Sequence, residues 1–209
     1  MTLTPFCLSK IFAAILATLA VLSTSESQAG DLKLFSFGAK PEMKKATELF
    51  HKQERANFVP RVYNALTPDN SHVIVSIGKQ RAYLMLGEEV AIDTPISSGK
   101  AARPTPQGHF HVLEKDPDHR SNIYGAFCDS QRRIVREGVS SVIDSAPSGT
   151  HFIGAPMKWF MRLTDKGVGM HVGILPGYAA SHGCIRLPDA EAKMIYDKVK
   201  IGTPVEVGQ

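Results

Sequence analysis

Cysteine is scarce in this chain, and where it is missing says as much as where it occurs. Cys7, Cys128 and Cys184 are the whole set, with no C-x-x-C pair and no H-x-x-x-H pair. The usual closures of a structural or catalytic zinc site are therefore lacking. No K-T-G triplet occurs, so Ser97-Ser98-Gly99-Lys100, although it fits S-x-x-K, has no partner motif of the serine penicillin-binding kind and reads as chance. There is no internal repeat and no low-complexity segment. The apolar run Ile11 to Leu22 covers about 18 Å as a helix against the roughly 30 Å of a bilayer core, which disfavours a membrane anchor there. A large charge excess is missing too. The net charge is +4 with a pI near 9.0, which fits an anionic envelope surface or a solvated basic face rather than nucleic acid.

The first residues have the three parts of a secretory signal peptide. Lys10 supplies the positive region, Ile11 to Leu22 the apolar one, and Ser27-Gln28-Ala29 a small-residue cleavage site. The expectation is a signal peptide over 1–29 and an exported protein of the periplasm or cell envelope, with no stable membrane span after cleavage. Cys7 precedes the apolar run and is poorly placed for lipidation. Cys128 and Cys184 then remain in an oxidising compartment, either as one disulfide or as thiols.

Residues 30–71 read as an N-terminal extension. In it, Met43, Ala46, Leu49 and Phe50 recur at helical spacing, so a helix is predicted over Pro41 to Arg55. From His72 the texture turns to short β segments. Residues 72–77 and 81–86 flank Gly78-Lys79-Gln80 as a hairpin, and 90–98 and 108–114 follow. His109 and His111 straddle Phe110 and are expected on the solvent side of a strand. Residues 115–150, polar and Gly/Ser/Pro-rich with Arg132, Arg133 and Arg136, read as a binding loop or lid. Residues 159–164 and 169–175 are two more strand segments. A helix over 187–202 has Pro188 at its start, Asp189 and Glu191 in its first turn and an apolar stripe of Ala192, Ile195, Tyr196 and Val199. Residues 204–207 close the chain as a strand. The expected result is a mostly β domain over 72–209.

The chemistry concentrates in 170–188. A thiol becomes a strong nucleophile as thiolate, which an imidazole or a helix N-terminus favours. Cys184 lies just upstream of the expected helix with His171 and His182 near it in sequence. Gly183 opens the backbone to an acyl carbonyl, and the Gly183 and Cys184 amides are natural oxyanion donors. In an extended segment His182 would share a face with Cys184, while His171 would approach from the preceding strand. Spacing leaves the choice of base open. Tyr124 in the long insertion either lines a groove or packs, and Cys128 reads as a partly buried free thiol. A cysteine peptidase of the NlpC/P60 type is disfavoured, because its cysteine precedes its histidine in the chain.

Ser181-His182-Gly183-Cys184-Ile185-Arg186 resembles the SHGC-x-R signature of YkuD-type L,D-transpeptidases, with His171 upstream in the expected order. The resemblance extends to the strand pair at 72–86, to Pro95–Lys100 (PISSGK) and to Pro104-Thr105-Pro106-Gln107-Gly108, covering His72 to Val207. It implies a β-sandwich catalytic domain with a flanking C-terminal helix, beside the small helical N-terminal extension. It further implies Cys184 as nucleophile, His171 as base, the Val172 carbonyl orienting the ring and His182 shaping the pocket. Arg186 would bind the donor, with Ser181 and Tyr124 as further candidate substrate contacts. Val172 stands where the family usually has Gly or Ser, and the interval from His171 to Cys184 is shorter than in many members. No metal or cofactor is implied. The implied partners are peptidoglycan stem peptides, with an envelope-protein lysine or water as other acceptors. A catalytically inert wall-binding module is the alternative of a different class.

Overall fold

The computed structural model describes residues 52–209. The signal segment and most of the helix predicted over Pro41–Arg55 lie outside these residues. Residues 52–55, its described end, carry no regular secondary structure.

The described chain opens with β1 (Asn57–Phe58) and a short helix α1 (Pro60–Ala65). Then come β2 (Ser71–Ser76), β3 (Arg81–Leu86), β4 (Glu89–Pro95), β5 (Gly108–His111) and β6 (Glu114–Asp116). β7 (Arg120–Cys128), β8 (Ile134–Ser140) and β9 (His151–Pro156) follow. The chain continues through β10 (Phe160–Arg162), β11 (Gly169–Val172), β12 (Ile185–Leu187), helix α2 (Asp189–Lys198) and β13 (Pro204–Gly208).

A six-stranded sheet runs β1-β4-β3-β2-β13-β5, and a four-stranded sheet runs β12-β11-β10-β6. They share one aliphatic core. Val73, Val75, Ala82, Leu84, Ala91 and Ile92 come from the first sheet, and Met161, Met170, Ile185 and Leu187 from the second. Period-two alternation causes this, since every second side chain of a strand points to the same face. His109 and His111 are exposed on β5 while Val112 just beyond them is buried, as that alternation predicts. Helix α2 closes the core with Ala192 and Ile195, and Val199 just past its end is also buried. Pro188 caps its start in an extended conformation, and the Lys115 ammonium donates to the Tyr196 and Val199 carbonyls at its other end, at 2.7 and 2.6 Å. Among the described residues no helix is long and apolar enough to cross a membrane.

Two segments differ from the sequence reading. Residues 57–66 are part of the core assembly: β1 pairs with β4, and Val62 and Leu66 are buried. The polar stretch at 115–150 is no loop. Its residues and those of β9 form a third sheet, ordered β8-β7-β9, built around Phe127, Cys128, Val139 and Phe152. Its outward strand β8 exposes Ile134 and Val135, so the period-two pattern that marks a half-buried strand is blurred there. This sheet is called the flap below.

Candidate active site

Cys184 lies one residue before β12, so a strand rather than a helix N-terminus follows it, and α2 starts only after Pro188. The expected activation by a helix end is therefore not the arrangement found. What surrounds the thiol is a pair of parallel strands. β11 and β12 align Met170 with Ile185 and His171 with Arg186. Met170 and Ile185 face the core. His171 and Cys184 flank them in sequence and therefore take the opposite face. They stand diagonally to each other across the strand pair.

His171 is buried, at 8% exposure, and its Nδ1 lies 2.7 Å from the Val172 carbonyl oxygen. A carbonyl only accepts, so Nδ1 carries the proton and donates, leaving Nε2 with its lone pair. Burial, opposed by the bond to Val172 and aided by Arg186 and the neighbouring His119, lowers the His171 pKa to about 4. The ring is neutral at neutral pH. Burial also raises the Cys184 pKa, countered by the Gly169 backbone amide and by the Arg186 and Arg162 charges. The thiol donates weakly to the Gly167 carbonyl at 3.8 Å. At rest the site holds a thiol and a neutral imidazole.

The turn that presents Cys184 is fixed from two sides. Gly183 has φ +119°, a conformation that disfavours any Cβ. This bend breaks the alternation, so His182 and Cys184 do not share a face. His182 is exposed, its ring stacked on Tyr124 of the flap at 4.4 Å between centroids. The Ser181 hydroxyl accepts from the Gly183 amide at 3.0 Å and donates to the Cys184 carbonyl. Of the two expected oxyanion donors, the Gly183 amide is thus committed within the turn. Among the described residues the Cys184 amide has no acceptor.

Thr105 holds the other side. Its buried hydroxyl accepts from the Gly99 amide and donates to the Gly183 carbonyl, both at 2.8 Å. In a trans peptide, C=O and N–H point in opposite directions. Fixing the Gly183 carbonyl therefore aims the Cys184 N–H the other way. Gly99 is required here, since a Cβ on it would stand 2.2 Å from the Arg103 carbonyl oxygen. Backbone bridges Ser97↔Arg186 and Gly99↔Ser181 complete the frame. The Ser97 hydroxyl donates to the Tyr178 carbonyl at 2.7 Å and Ser98 Oγ accepts from Gln80 at 2.7 Å, so both serines of the S-x-x-K match are buried scaffold.

The L,D-transpeptidase catalytic domain model of the YkuD family matches residues 70–207. The chain belongs to the YkuD family. L,D-transpeptidase 1 of Mycobacterium tuberculosis is 30% identical over 139 residues, 64% of this chain and 49% of that protein. The probable L,D-transpeptidase YbiS of Escherichia coli is 26% identical over 145 residues, 68% of this chain and 46% of that protein. The chain spans about half the length of these curated relatives. A crystal structure of the M. tuberculosis L,D-transpeptidase 1 aligns over 66% of this chain and 62% of that one, at 26% identity and a TM-score of 0.47.

The YkuD match takes in every residue of the site. The fold brings Cys184, His171, Val172, Ser181 and Gly183 together on one frame, with His182 and Tyr124 at its rim. Arg186 lies along this frame too, its stem against Gly173 and its guanidinium 3.5 Å from the Ile174 carbonyl. Sequence reasoning assigned no role to Thr105, Lys100 or Arg103. Thr105 carried a signal in its TPxG context, whereas Lys100 and Arg103 acquire meaning only through the fold. His171, His182 and Cys184 do not converge as metal ligands. Among the described residues the convergent set is Glu114, Asp116 and His119, where Glu114 already pairs with Arg162 and Asp116 with His119. Cys128 is a buried free thiol in the flap and Cys184 is also free.

Proposed function

We propose that this protein is an exported L,D-transpeptidase that cross-links peptidoglycan stem peptides through a thioester on Cys184. The observation that carries the reading is the His171 arrangement: a buried neutral ring, its Nδ1 tied to the Val172 carbonyl, on the same sheet face as Cys184. The site supplies a thiol, a base with one free nitrogen and one unpaired amide beside the sulfur. Export is read from the signal-peptide pattern of residues 1–29, and the catalytic domain over 72–209 takes in the core segment 57–66 of the preceding stretch.

His171 Nε2 takes the thiol proton as sulfur attacks the amide carbonyl on the L-centre of the diamino residue of a stem tetrapeptide. The Cys184 N–H, held in direction by Thr105 and Ser181, donates to the oxyanion of the tetrahedral intermediate. His171 returns the proton to the departing D-alanine nitrogen, leaving a thioester. An amine of a second stem peptide then gives its proton to His171, attacks the thioester carbon and expels Cys184 as a thiol. Arg186 and Tyr124 line the donor side. A lysine of an envelope protein as acceptor yields anchoring, and water yields an L,D-carboxypeptidase.

Intact mass spectrometry of the mature protein incubated with a stem tetrapeptide, or with a carbapenem as a strained acyl donor, tests this reading. The expected result is an acyl adduct absent from Cys184→Ala, followed by a cross-linked product on addition of acceptor amine. An adduct that persists in Cys184→Ala would sink the scheme. Cleavage without any transfer reassigns the enzyme as a carboxypeptidase, and complete inertness favours a wall-binding module.

A further inference from the structure

Among the described residues, seven cations outside the site have an acidic partner. Arg61, Arg81, Arg133, Arg136, Arg162, Lys193 and Lys200 each form an ion pair with a carboxylate. Lys100 and Arg103 do not, among the described residues. The Lys100 ammonium lies 3.4 Å from His182 Nε2, and one Arg103 nitrogen donates to the Tyr124 hydroxyl at 2.6 Å. Neither partner is a carboxylate. Together with Arg186 they surround His182 with positive charge, which adds to burial in lowering its pKa.

The backbone of the loop that carries these two cations is tied to the segment before Cys184. The Lys100 amide donates to the Ser181 carbonyl at 3.0 Å, and the Arg103 amide to the Lys100 carbonyl at 2.8 Å. Thr105, two residues on, is tied to Gly183. Holding like charges together around His182 is unfavourable on its own, and an arriving anion offsets that cost.

We infer that Lys100 and Arg103 form a subsite for a carboxylate, the free C-terminal carboxylate of the acyl-donor peptide. The inference rests on the transpeptidase reading. A donor that surrenders its last residue ends one residue beyond the scissile amide. One extended residue spans about 3.5 Å, so the terminal carboxylate lies close to the thiol's own neighbours. His182 is such a neighbour, two positions from Cys184, and Lys100 is in contact with it. Arg103 spends one of its donors on Tyr124 and keeps the rest of its fork, while an ammonium offers three protons. The subsite would thus select donors that end in a charged carboxylate and would place the scissile carbonyl at the sulfur.

The test compares three synthetic tetrapeptide donors on the mature enzyme. One is unmodified, one has a C-terminal amide, and one is amidated on the diamino residue's own carboxylate. The wild type is expected to prefer the free terminal acid over the terminal amide by about 10- to 100-fold in kcat/KM, mostly through KM, the range of one or two charge-assisted hydrogen bonds. In Lys100→Gln/Arg103→Gln that ratio falls toward one. Because the ratio is internal to each protein, a general loss of activity does not imitate it. A wild type that treats the free acid and the terminal amide alike overturns the subsite and leaves the transpeptidase standing. So does a double variant that keeps the full preference. A response confined to the donor amidated on its diamino residue overturns the assignment to the terminal carboxylate. Turnover of none of the three donors by the wild type overturns the transpeptidase reading and the subsite together.

Discussion

The site has two walls, and they are held by different forces. The wall that carries Cys184 and His171 is the strand pair β11 and β12, backed by Met170, Ile185 and Leu187, all fully buried. The other wall is the flap, which reaches the site through Tyr124 and turns Ile134 and Val135 outward at 62% and 53% exposure. Close packing fixes the first to fractions of an ångström, and chemistry between a thiol and an imidazole needs that precision. Among the described residues Tyr124 joins the second to the site through its stack on His182, a hydrogen bond from Arg103 and that guanidinium over its ring, contacts that suit a surface on the proposed substrate path. The two walls should therefore fail differently when altered.

The largest effect belongs to the rigid wall. Replacing His171 by Gln removes the proposed base and is expected to lower kcat of acylation about 10²- to 10⁴-fold, measured by adduct formation on Cys184. The same variant reports on stability. His171 has a folded pKa of about 4, below its unfolded value, so acid favours the unfolded state. The contribution of the neutral ring is present above about pH 6.5 and is lost as pH falls toward 4, amounting to about 3 kcal/mol. Urea midpoints followed through that window should fall in the wild type and fall less in His171→Gln. Equal slopes would mean that the ring is solvated when folded.

Aliphatic truncation separates the walls directly. Ile195 is fully buried under the sheets, and Ile195→Ala should cost about 2–5 kcal/mol in urea unfolding. Ile134→Ser on the outer face of the flap should stay within about 0.5 kcal/mol. A large loss at Ile134 would show that this face is covered in solution.

The same contrast decides what could be read from the sequence. The hairpin at 71–86, α2 and β13 were legible because each buries one face, and burial leaves a period of two or of 3.6 in the residues. β8 buries almost nothing along Ile134–Glu137, so it left no period and its region read as a loop. β12, only three residues long, was hidden beside the more informative Cys184. Within the site, the residue types and their order in 170–188 pointed to thiol chemistry, and the family signature proposed His171. The separation of His182 from Cys184 was not legible, because it depends on the positive φ of Gly183. Nor was the role of Thr105, which joins segments nearly eighty residues apart.

Thr105 tests the rigid wall without touching the reacting atoms. Thr105→Val keeps the shape but leaves the Gly99 amide and the Gly183 carbonyl without their shared hydroxyl, at a cost of about 1–3 kcal/mol for unsatisfied buried groups. If that hydroxyl aims the Cys184 amide, acylation should slow by about 10- to 100-fold, with Thr105→Ser close to wild type. A valine variant that is destabilised yet acylates at full rate would reduce Thr105 to a packing residue.

Tyr124 gives the smallest effect and the sharpest view of the flexible wall. Its ring stacks on His182 and its hydroxyl accepts from Arg103, so two substitutions separate the two contacts. Tyr124→Phe keeps the stack and frees the Arg103 nitrogen. Tyr124→Ala removes both. With each contact worth about 0.5–1.5 kcal/mol, the phenylalanine should raise the donor KM about two- to fivefold, and the alanine should add a further increase of similar size. Neither should alter the urea midpoint much, since the aliphatic core lies elsewhere. If phenylalanine and alanine behave alike, the hydrogen bond alone positions the flap. If phenylalanine matches the wild type, the stack alone does. A drop in kcat rather than a rise in KM in both would place Tyr124 at the reacting carbonyl, and the flap would then belong to the rigid wall.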